Sequence, residues 1–198
     1  MSSATGGNIE IVLHKPEYAK YFKSLNEEWI RKYFTMEKED EEVLSDPDGH
    51  VLRDGGYILY AKQGESVVGT VAVRKTEHGE FELTKMGVSP EVRGGGIGKK
   101  LLEAAIQEAK QRGFNKLVLY SNTSLGNAVG MYRKHGFMET LSIESYYERC
   151  NIKMELRLLP DTPDYIRELI ERYGKTAELV ERAVEQFPEE MWTWKPPD

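Results

Sequence analysis

The chain has 198 residues, 39% hydrophobic and 30% charged, the composition of an ordinary soluble globular protein of one domain with something appended or two small ones. A net charge of −6 argues against nucleic acid as the main partner and fits either a cationic substrate or a solvated surface. One cysteine, Cys150, cannot form an internal disulfide and suits a reducing cytosol, and no stretch reaches transmembrane length, so a cytoplasmic location and no membrane partner are expected.

Residues 1–7 lack the basic and apolar regions of a signal peptide and read as a flexible tail. Ile9 to Leu13 alternates weakly and predicts a first strand. Pro16 suits the first turn of a helix, and Tyr18, Phe22, Leu25, Trp29 and Ile30 recur at helical spacing. The acidic run Glu37 to Glu42 predicts the exposed face of a short second helix. Asp46-Pro47-Asp48-Gly49 is a turn. Tyr57–Ala61 and Val67–Val73, separated by Gly64-Glu65, predict a hairpin, and His78-Gly79 turns into a strand over Phe81–Val88. A helix over Ile97–Arg112 ends at Gly113, a fitting residue for the position just past a helix. A strand over Lys116–Tyr120 and a helix over Ala128–His135 follow, the latter stopped by Gly136. Leu141–Tyr147 and Ile152–Leu158 read as closing strands. Hairpins first and strand-helix-strand units later predict an α/β (α+β) fold, a mixed, mostly antiparallel sheet flanked by helices on both faces.

Between the strand ending at Val88 and the helix lies Val92-Arg93-Gly94-Gly95-Gly96-Ile97-Gly98-Lys99-Lys100, after a Ser89-Pro90 break. A glycine-rich turn feeding a helix N-terminus aims backbone N–H groups and the positive end of the helix dipole at one point, a site for phosphate or pyrophosphate. A Walker A loop fails because its first glycine position holds Arg93 and its hydroxyl position holds Lys100. The dinucleotide fingerprint fails because its third glycine falls on Lys99 or Leu101. Arg-x-x-Gly-x-Gly is satisfied by Arg93, Gly96 and Gly98. One strand later comes Ala128-x-x-x-Tyr132-x-x-x-Gly136-Phe137. Both motifs, in this order and spacing, resemble those of the GNAT N-acetyltransferase superfamily, over about residues 8–159.

The resemblance implies direct transfer of acetyl from acetyl-CoA to the amine of a small molecule or amino acid, with no metal. It places the pyrophosphate on Arg93, Gly94, Gly95, Gly96, Ile97, Gly98 and Lys99. The same strand would offer backbone groups to the pantetheine arm and thioester at Met86, Gly87 and Val88. Gly87 fits close ligand approach, or else a bulge. Arg93 adds charge there, or is a solvated cation. Tyr132 matches the general acid, since a phenol can donate to a departing thiolate; otherwise it is a packed helix tyrosine. Glu82, six residues before Val88, is the candidate base through water, or a structural ion pair. Leu125 stands where many members carry a cofactor-binding asparagine; Asn122 and Asn127 are the candidate substitutes, and Asn122 alternatively caps the following turn. The acceptor is expected between the first two helices and the last hairpin, near Trp29, Arg31, Tyr33, Tyr146, Tyr147 and Asn151, with Tyr33 and Tyr146 as the substrate candidates. Arg31 could bind a carboxylate or make a surface ion pair. Cys150 has no predicted histidine partner and reads as inert. His78 and His135 make no metal pattern.

Pro160–Pro163 reads as a linker to a helical extension, 160–198, broken near Gly174. Its Trp192-Thr193-Trp194-Lys195-Pro196 close resembles the start of a DinB-like bundle without that family's metal-binding histidines; a plain helical extension fits equally. The competing function is an acetyl-CoA-binding regulatory module acting through this tail. Whether the chain forms a homodimer is left open by the sequence.

Overall fold

The computed structural model describes residues 8–140 and 147–158. The chain divides into two compact units, Met1–Leu158 and Leu159–Asp198. The expected strand over Leu141–Tyr147, up to residue 146, and the linker, helical extension and DinB-like tail lie outside the described residues.

Among the described residues seven strands form one sheet: β1 (Ile9–Leu13), β2 (Tyr57–Gln63), β3 (Ser66–Lys75), β4 (Phe81–Val88), β5 (Lys116–Ser121), β6 (Met138–Glu139) and β7 (Ile152–Arg157). Their order across the sheet is β1-β2-β3-β4-β5-β7-β6, and all neighbours are antiparallel except β4 and β5. β2 and β3 are buried along most of their length, because helices cover both faces of the sheet's centre. Four helices do the covering: α1 (Ala19–Tyr33), α2 (Lys38–Ser45), α3 (Ile97–Gln111) and α4 (Gly126–Lys134).

Strand alternation sorts the core into two layers. Ile58, Tyr60 and Ala72 pack with Phe22, Leu25 and Ile30 of α1 and with Val43 and Leu44 of α2. Tyr57, Leu59, Val71 and Val73 pack on the other face with Leu101, Leu102 and Ala105 of α3 and Val129 of α4. Pro16 opens a single 3₁₀ turn, Pro16–Tyr18, that runs directly into α1. At the start of α2 the Glu37 backbone N–H donates to the Asp40 carboxylate at 3.1 Å, and three acids fill its first turn, where the helix dipole favours them. The expected turn at Asp46–Gly49 exists, with the Gly49 N–H on the Asp46 carboxylate at 2.9 Å, and it continues into a π-helical turn over Asp48–Leu52.

Two irregularities in β4 set up the site. β4 pairs with β5 only at Glu82↔Val118, so the two strands separate beyond that point. On its other edge the register slips: Thr84 faces Ala72 and Gly87 faces Thr70, which leaves Lys85 and Met86 opposite Val71. This is a β-bulge. Lys85 takes φ +50°, the one non-glycine residue with positive φ among the described residues. That conformation costs a side chain about 1–2 kcal/mol and persists where surroundings impose it.

Candidate active site

The glycine loop ends β4 and caps α3. Gly94 (φ +85°) and Gly96 (φ +76°) are left-handed, a conformation only glycine adopts without strain. A Cβ at either would meet nothing within 4 Å, so backbone conformation rather than space demands glycine there. The first intrahelical bond runs from Lys100 N to Gly96 O at 3.1 Å. The amides of Ile97, Gly98 and Lys99 therefore have no helical acceptor and point out of the helix start. Ile97 is buried and anchors that turn in the core, while Lys99 is exposed. Gly98 packs under Met86, whose methyl would lie 3.4 Å from an added Cβ. The Arg93 side chain turns back onto the end of β4: Nε donates to Val88 O at 3.0 Å, and Nη1 lies 3.4 Å from the Tyr33 hydroxyl. Tyr33 thus stands beside the loop and not among the cleft residues below.

Where β4 and β5 part, a cleft of about 160 Å³ opens. α1 supplies Asn26, Trp29 and Ile30; β4 supplies Leu83, Thr84, Lys85 and Met86; β5 and the following turn supply Tyr120, Ser121, Asn122 and Leu125. The far wall is α4, with Ala128, Met131 and Tyr132, and the near rim carries Phe34, Tyr147, Arg149 and Cys150. Tyr132 packs edge-on against Phe137, ring centroids 5.9 Å apart. Burial pushes its phenol up to about 12, so it holds its proton across the physiological range. No described residue hydrogen-bonds its hydroxyl.

Several sequence expectations fall elsewhere. Gly87 is neither the bulged residue nor open to a ligand on its Cα side: an added Cβ would sit 3.1 Å from Leu25 O, so the glycine lets α1 press onto β4. Asn122 lines the cleft, but its amide is spent on the fold. Nδ2 donates to Arg149 O at 2.6 Å, and Oδ1 accepts from Ser124 N at 2.9 Å, the turn-capping role. Asn127 is exposed on α4 and Arg31 on α1, neither lining the cleft. Glu82 is 1% exposed, does not line the cleft, and accepts from Arg74 Nε at 2.9 Å. Arg74 also pairs with Glu39 of α2. Tyr146 lies outside the described residues. Cys150 lies on the rim, half-buried and outside any disulfide.

Sequence reasoning missed the ionic cluster beneath the cleft. Lys85 Nζ donates to Asp40 Oδ1 at 2.6 Å and to the Tyr147 hydroxyl at 2.9 Å. Arg149 grips the same carboxylate with Nη1 at 2.7 Å and Nη2 at 2.8 Å, and Glu37 with Nη1 at 3.0 Å. Asp40 is 0% exposed. Burial alone would raise its pKa, but the Arg149 and Lys85 bonds outweigh this and hold it below the usual carboxylate range. Burial pulls Lys85 below the ordinary lysine value, against the opposing pull of Asp40. The cluster ties α2 to the bulge of β4 and to the segment entering β7, across the end of the sheet where strand pairing stops. The signal available in sequence was Asp40 at the third position of a helix otherwise read as solvent-facing.

Among the described residues no helix is long and apolar enough to cross a membrane, and no group of three metal-ligating side chains occurs. Several known proteins share the sequence and the architecture. An "IAA acetyltransferase" from Azospirillum brasilense is 38% identical over 101 residues, 50% of this chain and 61% of that protein. Mouse "N-acetyltransferase 8" is 34% identical over 94 residues, 45% of this chain and 41% of that protein. The chain thus spans under two thirds of the length of these curated relatives. A GNAT-family acetyltransferase structure from Staphylococcus aureus superposes with a TM-score of 0.67 at 21% identity, covering 77% of this chain and all of that one. A Salmonella typhimurium structure that carries its cofactor acetyl-CoA superposes at 0.59 with 16% identity, covering 78% and 96%. These structural likenesses bear on the fold. The acetyltransferase (GNAT) family profile matches residues 21–137, more than half the chain and the span that holds α1, the bulged β4, the glycine loop and Tyr132, and the protein belongs to that family.

Proposed function

We propose that the protein is an acyl-CoA-dependent N-acetyltransferase that moves acetyl from acetyl-CoA to a small-molecule or amino acid amine by direct transfer. The observation that carries this is the parting of β4 from β5 directly below an anion-binding helix start. Beyond Glu82 the β5-facing edge of β4 has unpaired backbone groups, and such groups require hydrogen-bond partners. The amide groups of the pantetheine arm are suited to supply them at Met86 to Val88, as an added strand would. The pyrophosphate sits on the free amides of Gly94 to Lys99. Arg93 contributes positive potential while its Nε fixes the end of β4.

In this reading the amine nitrogen attacks the thioester carbonyl, the C–S bond breaks, and the departing sulfur takes a hydrogen bond and then a proton from Tyr132. A hydroxyl without a partner among the described residues, raised to about 12 by burial, is a protonated donor across the physiological range. Glu82 is held by Arg74 and out of the cleft, so it serves as a structural anion, and the incoming ammonium gives its proton to water. The single half-buried thiol is consistent with a reducing, cytoplasmic setting.

Titration calorimetry with acetyl-CoA, CoA and ATP tests the site, followed by release of free thiol on adding amines. Expected is micromolar binding of acetyl-CoA that Gly96→Val abolishes, and amine-dependent thiol release. Preference for ATP, or no binding, refutes the reading.

A further inference from the structure

The acceptor side of the cleft shows what kind of amine it takes. Among the described lining residues the only charged ones are cations, Lys85 and Arg149. The carboxylates that neutralise them, Asp40 and Glu37, sit behind them on the α2 side and do not line the cleft. A ligand ammonium brought in here would meet the Arg149 guanidinium on the rim, with no carboxylate among the described lining residues to pair with. An unpaired charge taken out of water is expensive, and a polycation carries at least one such charge besides the reacting nitrogen. The acidic net charge of the chain therefore does not extend to this surface.

The wall formed by α1 and the residue after it is largely apolar. Trp29 and Phe34 stand with ring centroids 5.8 Å apart, tilted by 48°, next to Ile30. On this α1 wall Asn26 has a polar atom with capacity left. Asn26 is 1% exposed, and its Nδ2 donates to Phe22 O at 2.8 Å, which fixes Oδ1 as the opposite end of the amide. No described group donates to that oxygen. It lies beside Gly87, at the part of β4 that the transferase reading gives to the thioester arm. A buried carbonyl oxygen in a ligand cleft calls for an N–H donor.

We propose that the acceptor is a small primary amine on an aromatic body with no second positive charge. Its ring lies against Trp29 and Phe34, and its nitrogen donates to Asn26 Oδ1. This deepens the transferase reading and rests on it. The chemistry balances without a further reactant. The neutral amine forms the N–C bond, the C–S bond breaks, the thiolate leaves as CoA thiol with the Tyr132 proton, and the amine's surplus proton goes to water, from which the phenol is restored.

The test compares 2-phenylethylamine with 1,4-diaminobutane and spermidine by thiol release, with acetyl-CoA binding measured in parallel. The wild-type chain is expected to use 2-phenylethylamine with kcat/KM about tenfold or more above either polyamine. Trp29→Ala should raise KM for 2-phenylethylamine and leave acetyl-CoA affinity unchanged. Asn26→Ser should raise KM for 2-phenylethylamine and leave acetyl-CoA affinity unchanged, a split that a merely structural role for Asn26 would not produce. Polyamines used as well as or better than 2-phenylethylamine overturn the proposal, as does acetyl-CoA binding without turnover of 2-phenylethylamine. Failure to bind acetyl-CoA at all overturns the transferase reading beneath it instead.

Discussion

Replacing Asp40 by asparagine tests whether the cluster under the cleft is as tightly bound as its geometry requires. The carboxylate accepts four hydrogen bonds: from Lys85 at 2.6 Å, from Arg149 at 2.7 and 2.8 Å, and from the Glu37 backbone at 3.1 Å. Asparagine keeps one accepting oxygen and turns an NH₂ group toward donors. At least two charge-assisted bonds disappear, and Lys85 is left without its counter-ion at 3% side-chain exposure. Arg149 retains Glu37 at 3.0 Å, which offsets part of the loss. Removing one partner of a buried ion pair costs about 3–5 kcal/mol, a large share of the roughly 5–15 kcal/mol that holds a domain together. Lys85→Met is the counterpart. It leaves Asp40 with both Arg149 bonds and the Glu37 N–H, so it should cost only about 1–2 kcal/mol, because an apolar group in place of a buried charge is well tolerated. Urea unfolding of the full chain followed by circular dichroism reads both. A cost for Asp40→Asn under about 1 kcal/mol, or one smaller than that of Lys85→Met, would refute the idea that Asp40 is the shared anion of the cluster.

Tyr132→Phe should lower kcat by about a hundredfold while acetyl-CoA affinity holds, measured by thiol release and calorimetry; equal losses in both would mark Tyr132 as a packing residue. Gly96→Ala should weaken acetyl-CoA binding and cost about 1–2 kcal/mol in urea, although no atom lies within 4 Å of the new methyl, because φ +76° is what an alanine resists. Gly87→Ala should instead cost about 1–3 kcal/mol by pushing α1 off β4, its methyl meeting Leu25 O at 3.1 Å. Acid should weaken the fold. Burial pushes the Asp40 and Glu80 carboxyls up, but bonds from Arg149 and Lys85, and from Lys116 and Lys153, win and hold both below their usual range. The unfolded chain then binds more protons than the native one, so the stability they contribute is full above about pH 4 and fades as pH falls toward the native pKa values. Thermal unfolding between pH 7 and pH 3 should show this decline, shallower in Asp40→Asn.

Much of the fold was legible because it depends on short-range patterns. β4 was read at its observed ends, Phe81 and Val88, since Gly79 and Pro90 punctuate it. α3 stops one residue before the expected end, with Gly113 left-handed at φ +73° as its position implied. α4 starts at Gly126, two residues early, directly after the turn that Asn122 holds through Ser124 N and Leu125 N. β6 is two residues long, below what any periodicity can mark. The glycine loop was legible for the same local reason: positive φ at Gly94 and Gly96 is written directly into residue type. The floor of the cleft was not. Lys85 was given no role from the sequence, and the acids of α2 read as a solvated face. Only tertiary contact turns Asp40 inward, and nothing local distinguishes it from Glu41, which is exposed.

Both misreadings have one physical origin, and it bears on how the cleft works. A strand that stops pairing with its neighbour exposes backbone groups and leaves the two halves of the sheet joined only at one end. The transferase reading uses those groups for the thioester arm, so hydrogen bonds between β4 and β5 cannot also close the gap. Something else must hold it at a fixed width. The Asp40 cluster does this from below: Lys85 belongs to β4, Arg149 and Tyr147 to the segment entering β7, and Asp40 to α2. Side-chain charge replaces the missing ladder. Its bonds are long-range in sequence by 45 residues for Lys85 and 109 for Arg149, which is why no window of the chain announces them. The same bonds hold the carboxylates of Asp40 and Glu37 behind the described lining of the cleft. Strapping the sheet open and keeping carboxylates off the described lining of the acceptor side are then two consequences of one arrangement.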